Sequence, residues 1–372
     1  DLEVTDAFPL TWSIEANNDR PSSVGSEQLE ALASFNSFTG FGDTLSLRYG
    51  LLSAGFDNPR FSDLDNLAVS YQFPVPGTNT TLWASYLRQD YTVIEAPFDD
   101  LNIEGLTEDL SVGFRHVMMK NVRRSKSRNK GAYVESEFAL GLQFDLRHSE
   151  SFVLGNPQSF RLGSANGEID LSVLRFTQEY LHRDYDYAFA VRSTFSVGLD
   201  TFDATDNGTD RDGTFLSWRG DFQFMHKVFG DDPYRRLVAR GGIQLTNDPL
   251  VATEQMALGG AYTVRGFSQN ELVRDMGYHG SIELHWPLWK RNDGQPILTA
   301  VPFVDVGGGW NHDSPHANET LASAGIGVLF RPRDWLDARL FWGAPLTDRS
   351  IKNDRHNLQD HGVHFRLRVG KW

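Results

Sequence analysis

Residues 138–147 read Phe-Ala-Leu-Gly-Leu-Gln-Phe-Asp-Leu-Arg, and the pattern in them, an apolar residue at every second position, returns along the whole chain. Leu45, Leu47, Tyr49 and Leu51 alternate with Thr44, Ser46, Arg48 and Gly50. Phe189, Val191, Phe195, Val197 and Leu199 alternate with Ala190, Arg192, Thr194, Ser196 and Gly198, and Val363, Phe365, Leu367 and Val369 with His364, Arg366, Arg368 and Gly370. A helix would wind each set around its circumference, whereas a strand places each set on one face. One face is then greasy and the other small, polar or charged.

Alternation alone fits a soluble sandwich as well as a membrane barrel; strand length separates them. Sandwich strands run about 5–6 residues, whereas many of these segments alternate for nine or more, enough to cross a bilayer at a tilt. About sixteen segments are expected, starting near residues 10, 26, 43, 65, 80, 108, 134, 168, 186, 213, 235, 276, 297, 321, 335 and 361. An even number suits a single-chain bacterial barrel. If the N-terminus is periplasmic, the connections facing the periplasm are tight, as at Phe38 to Gly42, Pro74 to Gly77, His182 to Tyr185, Gly230 to Pro233 and Arg331 to Arg333. Those facing outward are long, as at Asp90 to Thr107, Ser149 to Asn166, Thr201 to Asp212 and Asp248 to Asp275. One periplasmic connection breaks the rule: about a dozen residues carrying Lys120, Arg123, Arg124, Lys126, Arg128 and Lys130, read as a solvated turn.

Composition removes other classes. The chain has no Cys, so disulfides, thiolate metal sites and cysteine nucleophiles are out. With 35 Lys+Arg against 49 Asp+Glu the net charge is −14, which argues against a nucleic-acid binder. No apolar run is long enough for a membrane helix, and no basic and apolar leader opens the chain at Asp1. Asp206, Asp210, Asp212 and Gly213 form an acidic loop without the bidentate Glu of a calcium site. The histidines show no zinc spacing and GxSxG is absent, so no catalytic, metal or cofactor residue is assigned. The nine Trp residues fall largely near strand ends, as an interfacial girdle would.

Three stretches carry the functional signal. The longest outer connection contains LGGAYTVRGF, Leu258 to Phe267, with Val264, Arg265, Gly266 and Phe267 at its centre; Gly280 to Leu284 follows on one strand and Phe303-Val304-Asp305-Val306-Gly307 on the next. Together with Asn17-Asn18, Val24-Gly25 and Gly40-Phe41-Gly42-Asp43, this set resembles the barrel of two-partner secretion transporters, the TpsB proteins that export haemolysins and filamentous haemagglutinins, within the BamA-like superfamily. The resemblance covers essentially all of residues 1–372, read as one all-β domain, a 16-stranded antiparallel transmembrane barrel with a long inward-folded loop.

The resemblance implies that the VRGF loop folds into the lumen and that its Arg pairs with the Asp of FxDxG. Parity agrees: with Ile282, Leu284, Val304 and Val306 toward lipid, Ser281, Glu283, Phe303, Asp305 and Gly307 face inward, so Arg265 would meet Asp305 and Glu283. It also implies outer-membrane localisation, a TpsA-like secreted exoprotein as partner, lipid around a monomeric barrel, and no cofactor. A BamA-like assembly factor is the alternative, and a passive porin a third. Members of the family carry periplasmic POTRA domains ahead of the barrel, so a truncated barrel or a fragment is expected here. Trp372 falls on the opposite parity from Phe365 and Val369, which suggests a bulge or a modified end.

Overall fold

The computed structural model describes residues 9–52, 66–94, 101–124, 133–159, 161–230, 232–313, 319–348 and 357–372. Sixteen antiparallel strands form the wall: β1 Leu10–Asn17, β2 Gln28–Asn36, β3 Thr44–Leu52, β4 Leu67–Pro74, β5 Thr80–Thr92, β6 Ile103–Arg124, β7 Tyr133–Val153, β8 Glu168–Arg183, β9 Tyr187–Leu199, β10 Phe215–Lys227, β11 Arg236–Thr246, β12 Met276–Lys290, β13 Pro296–Trp310, β14 Glu319–Arg333, β15 Leu336–Pro345 and β16 Val363–Lys371. Each pairs with its sequence neighbour, and β1 pairs with β16 from Trp12 opposite Lys371 to Asn17 opposite Arg366, which closes the barrel. Closure satisfies every edge, the condition for a sheet to sit in lipid.

The period-two faces are physically distinct. Leu110, Val112 and Phe114 on β6, Ile282 on β12, and Val304 and Val306 on β13 are exposed, while Ser111, Ser281, Glu283, Phe303 and Asp305 beside them are buried. An apolar outside and a polar inside is the arrangement of a membrane barrel. Trp12, Trp289, Trp335 and Trp372, all exposed, stand at the rim that carries the short turns.

Several strands run further than expected. β5 reaches Thr92 and β6 begins at Ile103, which shortens the connection anticipated from Asp90 to Thr107. β6 and β7 hold 22 and 21 residues, so Lys120, Arg123 and Arg124 belong to a strand rather than a turn. A register shift between Val117 and Met119 turns Lys120 to Glu135 and Glu137, at 2.9 and 3.4 Å. Lys126, Arg128 and Lys130 lie outside the described residues. The expected bulge in the last strand is absent: β16 stays in register with β1 and β15. Trp372 simply continues the inward parity, its ring 5.0 Å from the Arg368 guanidinium.

The β2–β3 turn shows how a tight connection is fixed. The Thr39 backbone N–H donates to the Asp43 carboxylate at 3.0 and 3.1 Å, its hydroxyl at 2.9 Å, and the Tyr71 hydroxyl at 2.9 Å. Loss of water around Asp43 opposes its charge, but these donors outweigh that and hold the carboxyl below its ordinary value of 3.8. A depressed carboxylate stabilises the fold above its unfolded pKa and stops doing so as pH falls through the folded one. Asp43→Asn is therefore expected to lower the urea midpoint of the refolded barrel at neutral pH, with the gap to wild type closing below pH 3.8. A gap that stays constant down to pH 2 would contradict this assignment.

Candidate functional site

Strand register builds the site. On the inner face of β12 and β13, Ser281 stands opposite Asp305 and Glu283 opposite Phe303, so the two cross-strand pairs form one patch. The long connection between β11 and β12 places Arg265 on it. Arg265 Nε and Nη2 donate to the two oxygens of Asp305, both at 2.8 Å, and its backbone N–H donates to the same carboxylate at 3.0 Å. Nη1 donates to Glu283 at 2.7 Å, and Nη2 also to Ser281 Oγ at 2.9 Å. The plane of the guanidinium lies against aromatic rings: its Cζ is 3.6 Å from the centre of Phe303 and 4.9 Å from that of Phe341.

Arg265 is 2% exposed and Asp305 1%. Burial disfavours the guanidinium charge, but the hydrogen bonds and charges of Asp305 and Glu283 outweigh it and raise the affinity for the proton. Glu283 is further held by Arg240 and, at 2.9 Å, by His285 Nε2. Among the described residues, the hydrogen bonds to the Asp305 carboxylate all come from Arg265. Fork-to-carboxylate geometry fixes orientation as well as position, which a lysine could not do.

Missing side chains matter as much. Gly266 adopts φ +94° and its amide faces His364 Nε2 at 3.3 Å. A Cβ on Gly266 would stand 2.9 Å from the carbonyl oxygen of Gly343, and one on Gly343 would stand 2.8 Å from the amide nitrogen of Gly266. Gly343 in turn donates its N–H to the Gly362 carbonyl at 2.9 Å. Phe303, Gly325 and Gly343 are successive cross-strand neighbours on β13, β14 and β15. The wall is bare of side chains at Gly325 and Gly343, and this furrow is filled by the Phe303 ring over Gly325 and by the backbone of residues 265–266 over Gly343. Gly307 does the same for Val264, whose Cγ2 would be 2.8 Å from a Cβ there. Val264 and Phe267, fully buried, pack with Met256, Leu258, Leu272 and Leu321.

The rest of the connection is tied elsewhere. Its short strands Met256–Leu258 and Leu272–Arg274 pair with each other. At its end Asp275 accepts from Arg211 Nη1 at 2.8 Å, Gln255 Nε2 at 2.7 Å, and the backbone N–H groups of Leu250 and His312 at 3.1 and 3.0 Å. Burial pushes the Asp275 carboxyl up, yet these donors prevail and hold it below the ordinary carboxylate range. Beyond the tip, Gln269 donates its N–H to Gln359 at 3.0 Å, and Gln359 donates to the carbonyls of Asn18 and, at 2.8 Å, Arg20. Asn18 bridges β16, giving its amide to Val363 and accepting from Phe365 N–H.

Val264, Arg265, Gly266, Phe267, Glu283, Phe303, Asp305 and Gly307 thus all meet within one site. Sequence reading did not single out Phe341, Gly343, Gly362, His364 or Gln359. Glycine at an inward position of β15 was a readable sign for Gly343, but nothing in the sequence joined it to residue 266. Asp206 and Asp212 each accept nearby backbone N–H groups, from Gly208 and Thr214; among the described residues no three acidic or histidine side chains gather as a metal would require.

Comparison with known proteins places the chain. The family described as Haemolysin secretion/activation protein ShlB/FhaC/HecB matches residues 1–330. The chain is 25% identical over 333 residues to the outer membrane transporter CdiB of Escherichia coli O6:K15:H31 (strain 536 / UPEC), covering 86% of this chain and 51% of that protein. It is 32% identical over 102 residues to the outer membrane transporter CdiB of Dickeya dadantii (strain 3937), 26% of this chain and 17% of that one. The chain spans about half the length of the first of these relatives. Among solved structures, CdiB from Escherichia coli superposes with a TM-score of 0.77 at 21% identity, over 99% of this chain and 64% of that chain. BamA from Haemophilus ducreyi lacking POTRA domains 1-3 gives 0.60 at 13% identity, over 98% and 70%. The fold is shared with both. This bacterial outer-membrane β-barrel belongs to the ShlB/FhaC/HecB family of haemolysin secretion/activation proteins.

Proposed function

We propose that the barrel passes an unfolded exoprotein outward across the bacterial outer membrane, as the transporter of a two-partner secretion pair, and that the connection from 247 to 275 folds into the lumen as its gate. The observation that carries this reading is the reach of that connection. It leaves β11 and returns at β12, yet it bonds Arg147 and Arg175 on β7 and β8 to one side and meets Gly343 and His364 on β15 and β16 to the other. A segment that touches walls on both flanks of its own strands spans the space between them. Arg265 on Asp305 and Glu283 is the pin that holds it there, and Val264, Phe267 and Gly307 complete the seat.

The route for the exoprotein lies along the other half of the lumen. A cavity of about 880 Å³ there is lined by Arg115, Arg192, Arg219, Glu179, Asp221 and Thr194, among others. Mixed charges and hydroxyls suit an extended polypeptide with exposed amides, since they offer it donors and acceptors along the wall. The apolar outer band faces lipid, and the barrel acts as a monomer. The rim with the short turns faces the periplasm. The relatives named outer membrane transporter support transport over catalysis.

Expressing the full-length protein with its candidate exoprotein and assaying the medium tests the reading. Exoprotein is expected in the medium only when the transporter is present. A correctly assembled barrel with no export would remove it, and defects in other outer-membrane proteins would point to barrel assembly instead.

A further inference from the structure

Residue 254 touches the wall opposite the Arg265 pin. Glu254 is the charged residue through which the gate connection reaches β7 and β8, next to Leu250 and Val251, which pack on Ile169, Leu171 and Val173 of β8; its carboxylate is almost fully buried. Its Oε1 accepts from Arg147 Nη1 at 2.9 Å and Arg175 Nη2 at 2.7 Å, and its Oε2 from Arg175 Nη1 at 3.1 Å. Arg147 Nη1 also donates to the Thr253 carbonyl at 3.1 Å.

Both arginines carry a second acid of their own. Arg147 donates through Nε and Nη2 to Asp109, its cross-strand neighbour, at 2.9 and 2.6 Å. Arg175 donates through Nε to Asp145 at 2.6 Å and through Nη1 to Ser196 at 2.8 Å. If Glu254 moved away, each guanidinium would still face a wall carboxylate. Arg147, Arg175 and Glu254 all border the 880 Å³ cavity, so water is at hand for the groups that part.

The contrast with the pin is chemical. Asp305 takes its hydrogen bonds from Arg265, so withdrawing Arg265 strands a carboxylate that is 1% exposed. Buried charges cost most when one partner leaves and nothing replaces it. Parting at Glu254 leaves no such orphan on the wall.

Building on the transport reading above, we infer that Glu254 is a releasable clasp, a positioning residue that parts from Arg147 and Arg175 to widen the open half of the lumen while Arg265 stays seated. Motion is confined to the Glu254 side chain and the residues beside it, because Gln255 and Leu250 remain tied to Asp275, Leu250 and Val251 stay packed on β8, and Gln244 holds the Glu254 carbonyl at 3.0 Å. The gate thus gives locally in its proximal arm and not at its tip.

Planar-bilayer recordings of the full-length protein test this without any exoprotein, so they succeed or fail independently of the secretion assay. In 0.1 M KCl, Glu254→Gln is expected to spend about two- to five-fold more time in a conducting state than wild type, the scale of a partly screened ion pair. Raising KCl to 1 M weakens pairs beside water, so it is expected to raise the open fraction of wild type and leave that of Glu254→Gln nearly unchanged. Gating equal to wild type, or an unaltered salt response in the variant, would overturn the proposal. So would failure of Glu254→Gln to assemble, judged by heat-modifiable mobility on a gel, because a releasable clasp cannot be required for the fold.

Discussion

Arg265→Ala is expected to bring export of the partner protein to background while the barrel still assembles. The substitution deletes the two side-chain bonds at 2.8 Å to Asp305 and the bond at 2.7 Å to Glu283, and removes the cation packed on Phe303. Glu283 keeps Arg240 and His285; among the described residues, Asp305 keeps the backbone N–H of residue 265 alone. Breaking a buried ion pair by removing one partner costs about 3–5 kcal/mol. At roughly 1.4 kcal/mol per decade, the seated loop would fall in population by two orders of magnitude or more. The wall strands pair through backbone bonds that do not involve Arg265, so heat-modifiable mobility is expected to stay native. Protease added to the purified barrel is expected to cut between 255 and 270 in the variant and not in wild type. Arg265→Lys keeps the charge but cannot bridge Asp305, Glu283 and Ser281 together, so it is expected to fall between the two. Normal export by an assembled Arg265→Ala barrel would show that the pin has no part in transport.

Gly343→Val attacks the same seat without touching a charge. The added Cβ would lie 2.8 Å from the amide nitrogen of Gly266 and 2.9 Å from the carbonyl carbon and oxygen of Arg265. These are backbone atoms of a tightly held turn, so no side chain can rotate out of the way. Overpacking costs typically about 1–3 kcal/mol where neighbours can relax, and a valine facing backbone belongs at or above the top of that range. The outcome expected is the Arg265→Ala phenotype, lost export and a cleavable loop, with Arg265, Asp305 and Glu283 all present. Gly307→Ala is a calibrated companion. Its nearest obstacle is Val264 Cγ2 at 2.8 Å, a side-chain atom, so Val264→Ala is expected to restore part of the export lost by Gly307→Ala. No second-site truncation can do the same for Gly343→Val. If Gly343→Val exported normally, the close contact of residues 265–266 with β15 would be irrelevant to transport.

How much of this was legible in the sequence depends on the range of the signal. Strand positions were, because alternation such as Phe138, Leu140 and Leu142 is local and is imposed by lipid on one side and water on the other. Strand ends were less so. β6 and β7 continue past the expected turn into residues as polar as Lys120 and Arg124, where a neighbouring strand supplies the bonds and hydropathy gives no cue. Facing parity on β12 and β13 placed Glu283 and Asp305 on one surface, and a loop rich in Gly with a central Arg was recognisable. The furrow was not. Gly325, Gly343 and Gly362 come from two strands and a loop, and only register aligns them. Glu254 was hidden for a related reason, because it sits in an irregular segment and its partners Arg147 and Arg175 lie 107 and 79 residues away.

The meeting of Gly266, Gly343 and Gly362 has a consequence for how such a chain can drift. Each contact in the group is main chain against main chain, so no residue there can be compensated by trimming a neighbour, as trimming Val264 would compensate at Gly307. While the tip stays seated, a side chain at any of the three positions would press on backbone, so replacing one alone is expected to unseat the tip. They would be inherited as one character, retained together or lost together with the gate itself.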